Sequence, residues 1–153
     1  SQREAKEYID SYFSRYPGIR EYMQNTKEFA YQEGLVKTLF GRRIHVKGVL
    51  SKNPMERRYA ERQAINAPIQ GTAADIIKRA MIKLSGVFKQ KSLNCKILLQ
   101  VHDELIIESS KSDSQECGEL AKKIMEEATL PRIQLEVPLV VDVGIGDTWE
   151  EAH

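Results

Sequence analysis

The chain has 153 residues, 41% of them hydrophobic and 29% charged, which suits one domain with a real core and excludes a disordered segment. No apolar run approaches the ~20 residues that span a bilayer. No secretory leader stands at the start, and two cysteines are too few for a disulfide framework, so a cytoplasmic protein with no membrane partner is expected.

Residues 2–16 read as a helix with Ile9, Tyr12, Phe13 and Tyr16 on one stripe, and no cap is expected at its start, as in a segment of a longer chain. Pro17-Gly18 should end it, and a second helix over 19–33 should stop at Gly34. Short strands at 35–38 and 44–49, turned by Gly41-Arg42-Arg43, predict a small hairpin followed by a loop over 49–54. Pro54 suits the first turn of a helix running to about residue 66. Pro68 and Gly71 should break that helix, with Thr72 capping a new one that carries Ile76, Ile77, Ala80, Met81, Leu84, Val87 and Phe88 at helical spacing. Ile97-Leu98-Leu99 and Leu105-Ile106-Ile107 predict a β-hairpin buried on both faces. A helix from Ser112 or Asp113 to about residue 129 should follow, closed by Pro131, and 137–144 should add a third strand. Trp149 and His153 read as tail packing, and Cys95 and Cys117 as core or half-buried residues with no redox pairing.

The net charge of +1 hides a split. Residues 1–91 carry 18 basic and 9 acidic side chains, whereas 92–153 carry 5 basic and 13 acidic. Within 37–62, Lys37, Arg42, Arg43, Lys47, Lys52, Arg57, Arg58 and Arg62 face only Glu56 and Glu61. Two readings stand: a polyanion-binding surface beside a separate carboxylate-bearing region, or chance clustering on solvated faces.

Two stretches carry possible chemistry. Between the apolar runs of the second hairpin lies His102-Asp103-Glu104, with no glycine although tight hairpin turns need positive φ. Adjacent carboxylates there fit a hard divalent cation such as Mg²⁺, which takes one or two protein carboxylates together with phosphates and waters. A solvated turn fits the spacing as well. Zinc is disfavoured, since no Cys or His stands at ligand spacing from His102. In the second stretch Arg62, Asn66 and Gln70 lie four apart, so an unbroken helix puts three hydrogen-bond donors on one face. That face could reach the minor-groove acceptors that all base pairs present in similar form, or could simply be solvated.

Residues 60–78 (AERQAINAPIQGTAADIIK) and Val101-His102-Asp103-Glu104 closely resemble the C-terminal end of the family A DNA polymerases. The runs at 12–17, 38–43 and 144–153 resemble it in order and spacing, so the likeness covers essentially the whole chain. It implies an α+β fold: a palm-type antiparallel sheet with a catalytic β-hairpin packed on helices, preceded by helices of the fingers. Residues 1–50 would be the remainder of the fingers and 51–153 the C-terminal part of the palm. Asp103 would be one of two metal-binding catalytic aspartates, assisted by Glu104, with His102 close to the primer terminus. Arg62, Asn66 and Gln70 would contact primer–template DNA in the minor groove, and Arg42 and Arg43 would form a basic turn near the template. Where relatives often carry a third arginine or a tyrosine followed by proline, this chain has Ile44-His45-Val46-Lys47.

The resemblance also implies Mg²⁺ in a two-metal site, deoxynucleoside triphosphates as substrates, and the rest of a polymerase chain as partner. The Asp-Tyr-Ser strand that would supply the other aspartate is absent from this sequence. So is the Arg-x₃-Lys-x₃-Asn-Phe pattern of the fingers helix, and the thumb would lie further upstream. The isolated chain is therefore expected to be inactive. Two further readings are a non-enzymatic DNA-binding scaffold and a metal-dependent phosphoesterase, the latter needing a second ligand cluster around Asp142 and Asp147.

Overall fold

In the computed structural model, which describes residues 1–153, helix α1 (Gln2–Arg15) opens on a capping box. The Ser1 hydroxyl accepts the Glu4 amide N–H, and the Glu4 carboxylate accepts a hydrogen bond from the Ser1 amine. The helix start is thus capped, against expectation, and the Ser-x-x-Glu spacing is the sequence signature of that cap. No residue of α1 is buried: Ile9, Tyr12 and Tyr16 of the expected apolar stripe are exposed, as is Tyr8, and Phe13 is half-buried. The first helix ends just before Pro17, as expected, but Pro17 and Gly18 already belong to α2 (Pro17–Glu33): the proline occupies its first turn, where its missing N–H has no partner to lose. Gly34 ends α2 at φ +68°, its N–H bonded to the Ala30 carbonyl.

Strands β1 (Leu35–Lys37) and β2 (Arg43–His45) pair antiparallel, with Val36 opposite Ile44. The second strand is shorter than expected because the chain turns after Val46, whose N–H reaches the Gly34 carbonyl. Val36, Val46 and Val49 are buried with Ala30, Ala60 and Ala64, and form one core.

Helix α3 (Pro54–Gln90) runs unbroken for 37 residues with Pro68 inside it. The expected break at Pro68 and Gly71, and the expected cap at Thr72, do not occur: Thr72 is a buried residue of the helix interior. A mid-helix proline removes one donor and pushes nearby carbonyls outward. Here side chains engage carbonyls on either side of it. The Tyr22 hydroxyl donates to the Ile65 carbonyl at 2.8 Å, and the Arg42 guanidinium donates to the Gly71 carbonyl at 2.9 Å. Gly71 is a packing residue: a Cβ there would lie 2.8 Å from Thr38 Cγ2 and 2.9 Å from Ile44 Cδ1.

The chain forms two compact units, Ser1–Gly71 and Thr72–His153, so α3 contributes to both. In the second, β3 (Cys95–Val101) and β4 (Glu104–Ser109) pair antiparallel, with a register irregularity between Ile97 and Leu99. Ile97, Leu105 and Ile107 pack on a core of Ala80, Leu84, Phe88, Cys117, Ala121, Ile124 and Ala128. Leu98 and Leu99 are 51% and 53% exposed, so the hairpin is not buried on both faces. Helix α4 (Ser114–Glu126) follows Asp113, whose carboxylate accepts the Asn94 N–H at 2.9 Å. That bond, with those from Ser110 and Ser112, holds the Asp113 carboxyl below its ordinary range.

The expected third strand at 137–144 is absent, and the sheet has two strands. That segment is held by α4 instead. The Val141 N–H donates to the Glu126 carboxylate at 3.2 Å, and Val143 lies against Gly118. A short helix α5 (Trp149–Ala152) closes the chain. The architecture is α+β, helix-rich with two small antiparallel hairpins, and no helix is long and apolar enough to cross a membrane.

Candidate functional site

Val101 pairs with Glu104, so the turn between β3 and β4 consists of His102 and Asp103 alone. A two-residue hairpin needs positive φ at its first central position, and His102 supplies it at +52°. For a residue with a Cβ this conformation costs about 1–2 kcal/mol. The Gln100 side-chain amide donates to the His102 carbonyl and braces the turn. His102 and Asp103 are exposed; Glu104, the first residue of β4, is half-buried. The structure thus brings the three predicted residues together at one tip, with adjacent carboxylates beside a strained backbone.

A contact that the sequence did not reveal reaches this tip. His153 Nδ1 lies 3.3 Å from Glu104 Oε1. Nothing in the spacing of residues 104 and 153 signals it. Asp147, weighed as part of a second ligand cluster, instead pairs with Lys111 Nζ at 2.8 Å. No group of three or more metal-ligating side chains forms, so the chain presents two hard carboxylates.

The first unit holds the other predicted residues. Between β2 and α3 lies a groove of about 370 Å³ lined by Ile44, His45, Val46, Tyr59, Arg62, Gln63, Asn66, Ala67 and Gln70. The continuity of α3 through Pro68 puts Arg62, Asn66 and Gln70 on one exposed face, while Ala60 and Ala64 are buried in the core. Tyr59, His45 and Gln63 are groove residues that the sequence reading missed. The Gln63 side-chain amide donates to the Tyr59 hydroxyl at 3.1 Å, and the Arg62 guanidinium lies 6.0 Å from the Tyr59 ring centre. Tyr59 stands one turn before Arg62 and Gln63, a legible spacing; His45 comes from β2 and carried no signal. The two predicted arginines of the basic turn differ in role. Arg42 is engaged with the Gly71 carbonyl, and Arg43 opens β2 as an exposed side chain.

Comparison with known proteins places the chain in a family. DNA polymerase I of Pseudomonas aeruginosa is 46% identical over 152 residues, which cover 99% of this chain and 16% of that protein. DNA polymerase I of Caldicellulosiruptor bescii is 48% identical over 151 residues, covering 99% of this chain and 17% of its own length. A solved structure of the POL domain of Pol1 from M. smegmatis, in complex with DNA primer-template and dNTP, matches with a TM-score of 0.93 at 43% identity. That match covers 99% of this chain and 26% of the other. The chain therefore spans only 16–17% of the length of these curated relatives, as a segment of DNA polymerase I would. Residues 1–151 match the family described as DNA polymerase family A, and to that family the chain belongs.

Proposed function

We propose that this chain is a segment of a DNA-directed DNA polymerase, with the fingers ending in residues 1–50 and the palm in 51–153, whose hairpin tip carries part of the catalytic centre. The observation that carries the reading is the His102-Asp103 turn: a strained, glycine-free tip that exposes Asp103 next to Glu104. In the reaction the primer 3′ oxygen bonds to the α-phosphorus of a deoxynucleoside triphosphate, and the bond to pyrophosphate breaks. Two adjacent carboxylates fit one side of a Mg²⁺ site, the remaining ligands being substrate phosphates, waters and an aspartate from elsewhere in the polymerase. Bound there, the ions would lower the pKa of the primer hydroxyl and neutralise the leaving pyrophosphate. Asp103 and Glu104 hold that charge at the tip, and His102 stands beside the primer terminus.

The groove supplies positioning. Arg62, Asn66 and Gln70 offer donors at successive helical turns to the degenerate acceptors of the minor groove, so they sense pair geometry and not sequence. Holding the primer end in line contributes several kcal/mol of barrier reduction, an order of magnitude typical of orientation effects. Arg42 braces the basic turn while Arg43 faces the template.

The test is Asp103→Ala in the full polymerase. Primer extension is lost while primer–template affinity stays close to that of the parent; near-normal turnover overturns the assignment. The isolated 153-residue chain extends no primer, since residues 1–153 contain neither the Asp-Tyr-Ser strand nor the fingers pattern that grips the nucleotide.

A further inference from the structure

The end of the chain is built to a definite shape although much of it is exposed. The Thr148 hydroxyl accepts the Glu151 N–H at 3.3 Å, and the Glu151 carboxylate accepts the Asp147 N–H at 2.9 Å, a reciprocal cap on a helix of only four residues. Asp147 is tied in turn to Lys111. Gly144 and Gly146 lie directly under α5: a Cβ on Gly144 would stand 1.7 Å from the Ala152 carbonyl oxygen, and one on Gly146 would stand 2.6 Å from Glu151 Cβ. Only glycine permits this seating, and it delivers His153 to Glu104.

His153 itself is 71% exposed, so burial does not explain its position. What it touches is one oxygen of the second carboxylate at the hairpin tip. We propose that His153 is a positioning residue: its imidazole, with Nδ1 at 3.3 Å from Glu104 Oε1, engages that one oxygen, narrows the choice of carboxylate rotamer, and leaves Oε2 for the cation site. The donor exists in both the neutral Nδ1–H tautomer and the imidazolium. A half-buried glutamate at a strand end otherwise samples several rotamers, and a partner on one oxygen favours the subset that keeps the contact. The role rests on the reading of Asp103 and Glu104 given above.

The experiment uses the full polymerase with His153→Ala and His153→Asn, the asparagine amide standing where imidazole Nδ1 stood. Turnover in primer extension and the affinity for Mn²⁺ alone, read by electron paramagnetic resonance, are measured together. Outer-shell partners of metal-binding groups typically matter by about tenfold or more, so His153→Ala lowers turnover and Mn²⁺ affinity each by about tenfold. KM for primer–template and the thermal midpoint stay unchanged, and His153→Asn restores most of both losses. Unchanged turnover and Mn²⁺ affinity in His153→Ala overturn the proposal, as does an asparagine variant no better than alanine. Asp103→Ala is run alongside. If that variant keeps its turnover, the proposed site falls and this role with it. If it loses turnover while His153→Ala behaves as the parent, only the positioning role falls.

Discussion

Replacing Gly71 with alanine sets two effects of opposite sign against each other. Helix propensity alone favours the change by about 1 kcal/mol at an interior position. Against it, the new methyl would stand 2.8 Å from Thr38 Cγ2 and 2.9 Å from Ile44 Cδ1. The Ile44 contact is with the tip of a flexible side chain and relaxes by rotation. Thr38 cannot yield so easily: it is 4% exposed, its hydroxyl accepts the Arg42 N–H at 3.1 Å, and its own N–H donates to the Arg42 carbonyl. The turn must therefore shift away from α3 and stretch the bond from the Arg42 guanidinium to the Gly71 carbonyl. Overpacking of this kind costs about 1–3 kcal/mol, and weakening a hydrogen bond to a charged group adds to that. The net expectation is a loss of about 2 kcal/mol, the steric effect winning over propensity. Urea unfolding followed by helical circular dichroism should show a lower midpoint at unchanged slope. Thr38→Ser, which deletes Cγ2, should rescue Gly71→Ala by more than the sum of the single changes allows. A midpoint equal to or above that of the parent would refute the reasoning, because it would mean that propensity alone governs the site.

Two further outcomes follow from the second unit. Leu84 is fully buried in the core, and Leu84→Ala should destabilise by about 2–5 kcal/mol in the same unfolding assay; a loss under about 1 kcal/mol would show that the site collapses around the deletion. The Cys117 thiol is pushed up from its ordinary 9.0 to about 12, first by burial and then by its contact with Cys95. Native Cys117 should therefore resist iodoacetamide at pH 8, where a thiol of that strength holds a thiolate fraction of only ~10⁻⁴. Because the folded value lies above the unfolded one, the stabilising contribution is complete below about pH 9 and lost as pH rises toward 12. Thermal midpoints should fall over that range, less steeply in Cys117→Ala. Labelling of native Cys117 at the rate of the unfolded chain would refute the assignment.

The parts legible in the sequence were those governed by local pattern. The second hairpin and the amphipathic helix at 114–126 follow from residue spacing, and so does the face of Arg62, Asn66 and Gln70 once the helix is known to continue past Pro68. Local pattern misleads where a distant contact overrides a local rule. Pro68 and Gly71 carry strong breaker signals, yet Tyr22 and Arg42, 43 and 29 residues away in sequence from the carbonyls they engage, support the helix through them. Residues 137–144 have strand composition, but strands exist only as pairs, and α4 takes that segment's Val141 N–H. The site shows the same division. Asp103 and Glu104 are visible as an anomaly of turn chemistry, whereas His45 in the groove and His153 at the tip arrive through the fold.

The left-handed backbone of His102 has a consequence for anyone who would stabilise this chain. A glycine or asparagine at that turn relaxes a conformation that histidine adopts at a cost of about 1–2 kcal/mol. Selection for thermal tolerance alone would therefore favour discarding the imidazole, and a library screened for folding would report the exchange as an improvement. On the reading proposed here, the same exchange removes the side chain beside the primer terminus. Foldability and chemistry thus compete for one codon, and a search that rewards only the first would drift toward a sturdier hairpin with a blank tip.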